Sequence, residues 1–322
     1  MQYQSLEAYL DKAVSAKQLD STSASVILAL ATAACRIDQL VRRDGLAGEL
    51  GGDAGGQNSD GDDQKALDVL AEEVITASIR GSGVGQFLSE EQDEAVEMDA
   101  GGSVILAVDP LDGSSNISVN VTIGTIFSIL PAGPALQPGS AQLAAGFFTY
   151  GPQTGLVLGA PGLGRISSFT LDPDSGIFCC RHDRLEIPPE TKEFAINSAY
   201  GGHWFAPVRK WMDDVLAGKT GPTGRDWRMR WVGSLVADAW RVLHRGGVFL
   251  YPADRRSGQE NGRLRLVYEA NPMALLVQLA GGLATDGHDT ILERQPESLH
   301  QRTALIFGAA KDVGVIRSMH QE

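Results

Sequence analysis

Positive charge is scarce in this chain. Its 322 residues carry 27 Lys and Arg against 40 Asp and Glu, a net charge of −13. That balance argues against nucleic acid or an anionic membrane as the main partner. Any phosphate handled here must meet cationic charge gathered locally. Cysteine is almost absent: of three residues, two are the adjacent Cys179-Cys180, so no disulfide framework is expected and a reducing cytoplasm is the natural setting. No His-x-x-x-His or Cys-x-x-Cys pattern is present to hold a softer metal. The apolar run Val26 to Cys35 is too short to span a bilayer. Glu7, Asp11 and Asp20 precede it without a basic start, so no export signal is expected.

Three nucleotide or metal motifs are nearly present and fail on spacing. In Gly81-Ser82-Gly83-Val84-Gly85-Gln86, Gln86 stands where a dinucleotide loop needs its third glycine. Gly218-Lys219-Thr220 has the tail of a phosphate-binding loop, but Asp213 occupies the first glycine position. Around Asn58 to Asp63 an EF-hand register would begin at Gly56 and end at Leu67, neither of which suits calcium.

What the chain does have is the stretch Val104 to Asn116. Five apolar residues, Val104 to Val108, read as a buried strand, and Pro110 is expected to stop its ladder by removing a backbone donor. Asp109 and Asp112 then sit at the strand's carboxyl end, where open α/β sheets keep their ligands. Gly113-Ser114-Ser115-Asn116 supplies a flexible turn whose backbone N–H groups can meet an anion. Two hard carboxylates beside an anion cradle describe a site for Mg²⁺ and phosphate.

Elsewhere, Ser5 to Ala16, Ser23 to Arg43 and Asp62 to Ser78 are expected helices, the last carrying Asp68. From local sequence alone Asp68 reads as a solvated helical carboxylate. Asp44 to Gly61, with seven glycines and no periodicity, is expected to be a mobile loop of the kind that acts as a lid. Val84 to Leu88 reads as a strand closed by Ser89-Glu90-Glu91, an acid pair that by itself suits a charged surface turn. Val119 to Leu130 is β-rich, and Ala144 to Leu158 reads as a hairpin turning at Gly151-Pro152. Residues 182–193, with Pro188-Pro189, are the expected domain boundary. In the second half, Phe194 to Asn197, Gly247 to Tyr251 and Arg263 to Tyr268 are expected strands, and Leu235 to Leu243 is an expected helix. Asn271-Pro272 is expected to cap and start another helix that ends at Gly281-Gly282. Acids thus close buried strands three times, at Glu90-Glu91, Asp109-Asp112 and Glu269.

Four blocks together, Ser89-Glu90-Glu91, Asp109 to Asn116, Gly233-Ser234-Leu235-Val236-Ala237-Asp238 and Leu264 to Ala274, closely resemble class I fructose-1,6-bisphosphatase, with likeness from about Gly61 to Gly308. The resemblance implies a layered α-β-α-β-α sugar-phosphatase fold of two domains. Residues 1–187 would bind metal and the 1-phosphate, and residues 188–322 the sugar and 6-phosphate. It also implies Mg²⁺-dependent hydrolysis of the 1-phosphate of fructose 1,6-bisphosphate, two or three Mg²⁺ (replaceable by Mn²⁺ or Zn²⁺), and a cytoplasmic homotetramer. Carried over by position, Glu90, Glu91, Asp109, Asp112, Glu269 and the Leu111 carbonyl would be metal ligands. Asp68 and Glu91 would orient and deprotonate the attacking water. Asp112, Gly113, Ser114 and Ser115 would meet the 1-phosphate end of the substrate. Asn197, Tyr200, Tyr251 and Arg263 would hold the sugar and 6-phosphate, joined by Arg230 from a neighbouring subunit.

The sequence departs from the family pattern at several places. Arg263 replaces a usual lysine, Trp231 a tyrosine, and Ser198 a common acid. Ser103-Val104 replaces a Lys-Tyr pair, and the family's AMP segment is not recognisable, so AMP inhibition is not carried over. The loop at Leu136-Gln137-Pro138-Gly139 lacks the cysteine-bearing insertion of thiol-regulated members. Other readings are a sedoheptulose-1,7-bisphosphatase or dual-activity enzyme, an inositol-monophosphate-type phosphatase, and a catalytically silent sugar-phosphate-binding regulator. The inositol reading does not explain the cationic half from Arg230 to Glu269, and the silent one does not explain the intact acid set.

Overall fold

The protein is described here by a computed structural model covering residues 3–43, 53–57 and 63–321. Five layers stack in the order α-β-α-β-α. Helices Leu6–Ser15, Ser21–Val41 and Ala66–Ile79 cover the outer face of an eight-stranded sheet. Leu235–Arg245 and Asn271–Leu279 lie between that sheet and a five-stranded one. Ala206–Leu216 and Ala310–Met319 close the far side. The layered fold expected from the resemblance is therefore the one observed.

Both faces of the large sheet are covered, so its strands read as continuous apolar runs rather than alternating ones. Phe127, Phe148, Leu156 and Leu158 point to the outer helices, while their neighbours Ile126, Phe147 and Val157 point to the central layer. Burying each such side chain stabilises the fold by about 1.5–3 kcal/mol before chain entropy is counted. Helix Ser21–Val41 has the length and apolarity to cross a membrane, more than the Val26 to Cys35 run suggested. Here Val26, Ile27, Leu30 and Ile37 are instead buried in the outer core.

Several local expectations need correcting. Pro110 does not end its strand: Val104–Asp112 runs on through it by a register shift between Asp109 and Asp112. Arg263 to Tyr268 is not one strand. Only Leu264–Arg265 is extended, and Leu266–Ala270 winds into a π-helical turn that leads into Asn271–Leu279, so Asn271 lies inside a helical run and caps nothing. The aromatic and β-branched residues that suggested a strand, Val267 and Tyr268, are buried against Leu88, Ile105 and Leu130, a packing that local propensity cannot anticipate. The third helix starts at Ala66 rather than Asp62, because Asp63–Lys65 pairs antiparallel with Asp53–Gln57. Those five residues interrupt the expected 44–61 loop, the rest of which lies outside the described residues. Of the expected boundary at 182–193, residues 182–185 complete the last strand of the large sheet, Ile177–Leu185, and Glu193 opens the next strand, Glu193–Ile196.

Candidate active site

Parallel pairing brings the first acids together. Strands Val84–Ser89 and Val104–Asp112 run side by side in the same direction, Ser89 opposite Val108, and the Glu90 N–H donates to the Val108 carbonyl at 3.0 Å. Glu90 and Glu91 therefore leave one strand beside Asp109 on the next. Leu111 N–H donates to Asp109 Oδ1 at 2.9 Å, which turns the chain tightly between the two aspartates. The π-helical turn delivers Glu269 to the same place, its Oε2 accepting the Arg265 backbone N–H at 2.5 Å.

Asp112 is held from the central layer. Its Oδ2 accepts the Val236 N–H at 2.9 Å and the Ser234 hydroxyl at 3.3 Å, at the N-terminus of helix Leu235–Arg245 where a negative charge is favoured. Gly124, paired with Asp112, makes this approach possible: a Cβ there would lie 2.1 Å from the Phe148 carbonyl oxygen and 2.7 Å from the Val236 side chain. Asp238 accepts the Val232 and Gly233 N–H groups, and Asn116 donates to the Gly233 carbonyl, so the 232–234 segment and the Gly113 turn clamp each other. Gly113 itself adopts φ +81°, a backbone shape that few other residues take.

The acids perturb one another strongly. Burial raises the Asp109 carboxyl well above its ordinary range, and Glu90, Asp112, Glu269 and Glu91 raise it further. Glu269 is raised for the same reasons, burial first and then Glu90 and Asp112, against the pull of its hydrogen bond from Arg265. Asp112 is pushed up to about 6 by burial, its bonds to the Leu235–Arg245 helix terminus acting in the opposite sense. Ligand oxygens of Asp109, Asp112 and Glu269 all lie within 4.8 Å of one another. An all-oxygen, mutually repelling set with that spacing fits a hard divalent cation, which would remove the repulsion that burial intensifies.

A cleft of about 490 Å³ connects these acids to a different surface. Asp68, Glu90, Glu91, Asp109, Leu111, Asp112, Gly113, Ser114, Ser115 and Glu269 line it together with Asn197, Tyr251 and Arg263. Trp231 and Phe249 add an aromatic wall, their rings stacked 5.8 Å apart. Two expected residues stand elsewhere. Tyr200 lines a small adjoining pocket, its ring beneath the Arg256 guanidinium at 3.4 Å, and Arg256 is in turn fixed by Asp254. Arg230 is exposed beside the edge strand Arg228–Met229, its Nη1 donating to the Met229 carbonyl, and does not line this chain's own cleft.

Sequence reasoning missed Arg265, Ser234 and Asp238 as parts of the site. Arg265 is only 4% exposed, and its Nε lies 3.6 Å from Glu90 Oε1. The alternation Arg263-Leu264-Arg265-Leu266 was the available signal, since residues two apart share a side of an extended segment.

The fructose-1,6-bisphosphatase N-terminal domain model matches residues 7–183, and the C-terminal domain model matches residues 187–321. The chain belongs to the fructose-1,6-bisphosphatase family. It is 48% identical over 326 residues to fructose-1,6-bisphosphatase class 1 of Azorhizobium caulinodans, covering 98% of each chain. It is 49% identical over 302 residues to a class 1 enzyme of Cereibacter sphaeroides, covering 92% of this chain and 90% of that one. Leishmania major fructose-1,6-bisphosphatase in holo form superposes with a TM-score of 0.91 at 31% identity, and the apo form with 0.86 at 29%, each over the whole of both chains. Members of the fructose-1,6-bisphosphatase family are metal-dependent phosphoric monoester hydrolases acting on a sugar bisphosphate, in keeping with the buried acid cluster found here.

Proposed function

We propose that this chain hydrolyses the 1-phosphate of fructose 1,6-bisphosphate to give fructose 6-phosphate and inorganic phosphate, with Mg²⁺ held by its acid cluster. The observation that carries this reading is the approach of Asp109, Asp112 and Glu269 within 4.8 Å, in one cleft with Arg263. Phosphate monoesters hydrolyse so slowly that an enzyme can supply up to about 10²¹-fold, near 29 kcal/mol at 1.36 per decade. A general base contributes only about 10²–10⁴ of that. Bound divalent cations supply most of the remainder by neutralising phosphoryl charge and lowering the pKa of water.

The chain's own part in this reading is holding and orienting. Glu90, Glu91, Asp109, Asp112, Glu269 and the Leu111 carbonyl hold two or three Mg²⁺, with Mn²⁺ or Zn²⁺ as substitutes. Asp68 and Glu91 orient the attacking water and take its proton. The Gly113, Ser114 and Ser115 turn holds the 1-phosphate. Arg263, Tyr251 and Asn197, which line the same cleft, hold the sugar and 6-phosphate, and the hydroxyl of Tyr200 joins them. Arg230, which does not line its own cleft, serves that of a neighbour in a cytoplasmic homotetramer. Residues 1–187 are then the metal and 1-phosphate domain, and residues 188–322 the sugar domain.

The test is phosphate release with and without Mg²⁺ from fructose 1,6-bisphosphate, sedoheptulose 1,7-bisphosphate and inositol 1-phosphate. Mg²⁺-dependent release is expected from the fructose ester. Preference for the sedoheptulose ester would reassign the substrate, and release from the inositol ester alone would overturn the bisphosphate reading. Binding of these esters without any release would mark a silent regulator.

A further inference from the structure

Asp109 pairs with Ile126 and Asp112 with Gly124, so three steps along one strand answer two along its neighbour. This is a β-bulge, with one extra residue on the acid-bearing strand. In a regular strand, side chains three residues apart leave opposite faces of the sheet. The bulge reverses that parity. Leu106, Val108 and then Leu111 all join the outer core, whereas Ile105 and Ala107 pack on the other side. Asp109 and Asp112 consequently emerge on the same face, which two acids of one metal cluster must do.

Two buried hydroxyls hold the bulge. Thr125 Oγ1, on the opposing strand between the two paired residues, donates to the Pro110 carbonyl at 2.8 Å. The Tyr150 hydroxyl lies 2.9 Å from the same Thr125 oxygen. A threonine hydroxyl has one proton, so with that proton given to Pro110, Tyr150 is the donor to Thr125. Both residues are buried, at 1% and 2% exposure, and burial keeps the Tyr150 phenol protonated. Neither side chain lines the cleft.

We propose that Thr125 and Tyr150 form a latch that holds the Asp109–Asp112 bulge in its cation-binding shape, making them positioning residues for the acid cluster. The inference rests on the metal-binding reading given under Proposed function. It assigns to two residues outside the cleft a specific effect on cation affinity. A purely structural pair would alter stability and leave affinity unchanged.

The experiment measures Mn²⁺ binding by calorimetry on the metal-stripped full chain, alongside the thermal midpoint of the same cation-free samples. Thr125→Val keeps the volume and removes the hydroxyl. It is expected to weaken Mn²⁺ binding about tenfold or more, as outer partners of metal ligands do, whereas Thr125→Ser is expected to stay within about threefold of wild type. Tyr150→Phe should fall between them. Folded Thr125→Val with wild-type Mn²⁺ affinity would overturn the latch, whatever its midpoint. Should that variant fail to fold, folded Tyr150→Phe decides the matter: unchanged affinity there would overturn the latch. If wild type itself bound no Mn²⁺, the acid-cluster reading would fail first and the latch with it.

Discussion

The Val236 backbone N–H donates to Asp112 Oδ2 at 2.9 Å, joining helix Leu235–Arg245 to the end of strand Val104–Asp112 across 124 positions of sequence. One carboxylate thereby meets a helix terminus and also places an oxygen within 4.8 Å of ligand oxygens of Asp109 and Glu269. The helix bond restrains the side chain, and the neighbouring acids give it a reason to bind a cation.

Asp112→Asn separates these two roles. The amide oxygen can still accept the Val236 N–H, so the fold is expected to survive. Removal of one repelling acid should leave the cation-free midpoint unchanged or raise it by a few degrees, as about 1 kcal/mol does in a chain of this size. Mg²⁺ should no longer raise that midpoint. Scanning calorimetry with and without Mg²⁺ checks this, and a wild-type Mg²⁺ response in the variant would show that Asp112 is not a ligand.

Glu91→Gln is expected to lower kcat by about 10²–10⁴ with little change in KM, because a base helps mainly in the transition state. Steady-state kinetics on fructose 1,6-bisphosphate at saturating Mg²⁺ provides the measurement. Near-normal turnover would remove Glu91 from the proton-transfer role.

Arg263→Ala should act on binding instead. Loss of a charge-assisted contact worth about 1.5–3 kcal/mol corresponds to a rise in KM of about 10- to 150-fold. Arg263→Lys should recover part of the loss but not the geometry of a two-pronged contact. An unchanged KM in the alanine variant would place the distal phosphate elsewhere.

The acid cluster also sets a direction for pH. Asp109, Asp112 and Glu269 are all raised in the folded state, Asp112 to about 6, so folding takes up protons between the ordinary carboxylate range and these higher values. Without cations, their contribution to stability is therefore lost as pH rises from about 4 through about 6 and beyond. Cation binding displaces the same protons and should strengthen over the same interval. Thermal scans of the stripped protein should show the Mg²⁺-induced rise in midpoint growing from about pH 5 to about pH 7.5, and no such rise at any of these pH values in Asp112→Asn. A Mg²⁺ effect independent of pH would contradict the repulsion on which the site is built.

The acids and the buried strand that carries two of them are legible in the sequence. The run Val104 to Val108 followed by Asp109 and Asp112 announces a buried strand with carboxylates at its end, because apolar runs and carboxylate types are local properties. The Asn271–Leu279 helix was likewise anticipated, but its entry was not. Leu266–Ala270 has the composition of a strand and adopts a π-helical turn, because packing of Val267 and Tyr268 onto the large sheet outweighs their preference for extended backbone. Tyr200 shows the same limit: its ring is turned toward Arg256, a neighbour chosen by Asp254 rather than by adjacent sequence.

By itself, then, the sequence determined the inventory: which acids, arginines and hydroxyls exist, and which strands and helices carry most of them. Only the tertiary structure decided that Glu269 would meet Asp109 and Asp112, that a bulge would turn two aspartates of opposite parity onto one face, and that Arg265 would lie buried beside Glu90. The division follows from range. Propensity and charge act within a few residues, whereas register, burial and mutual repulsion arise only when separate segments, from neighbouring strands to stretches more than a hundred residues apart, are packed together out of water.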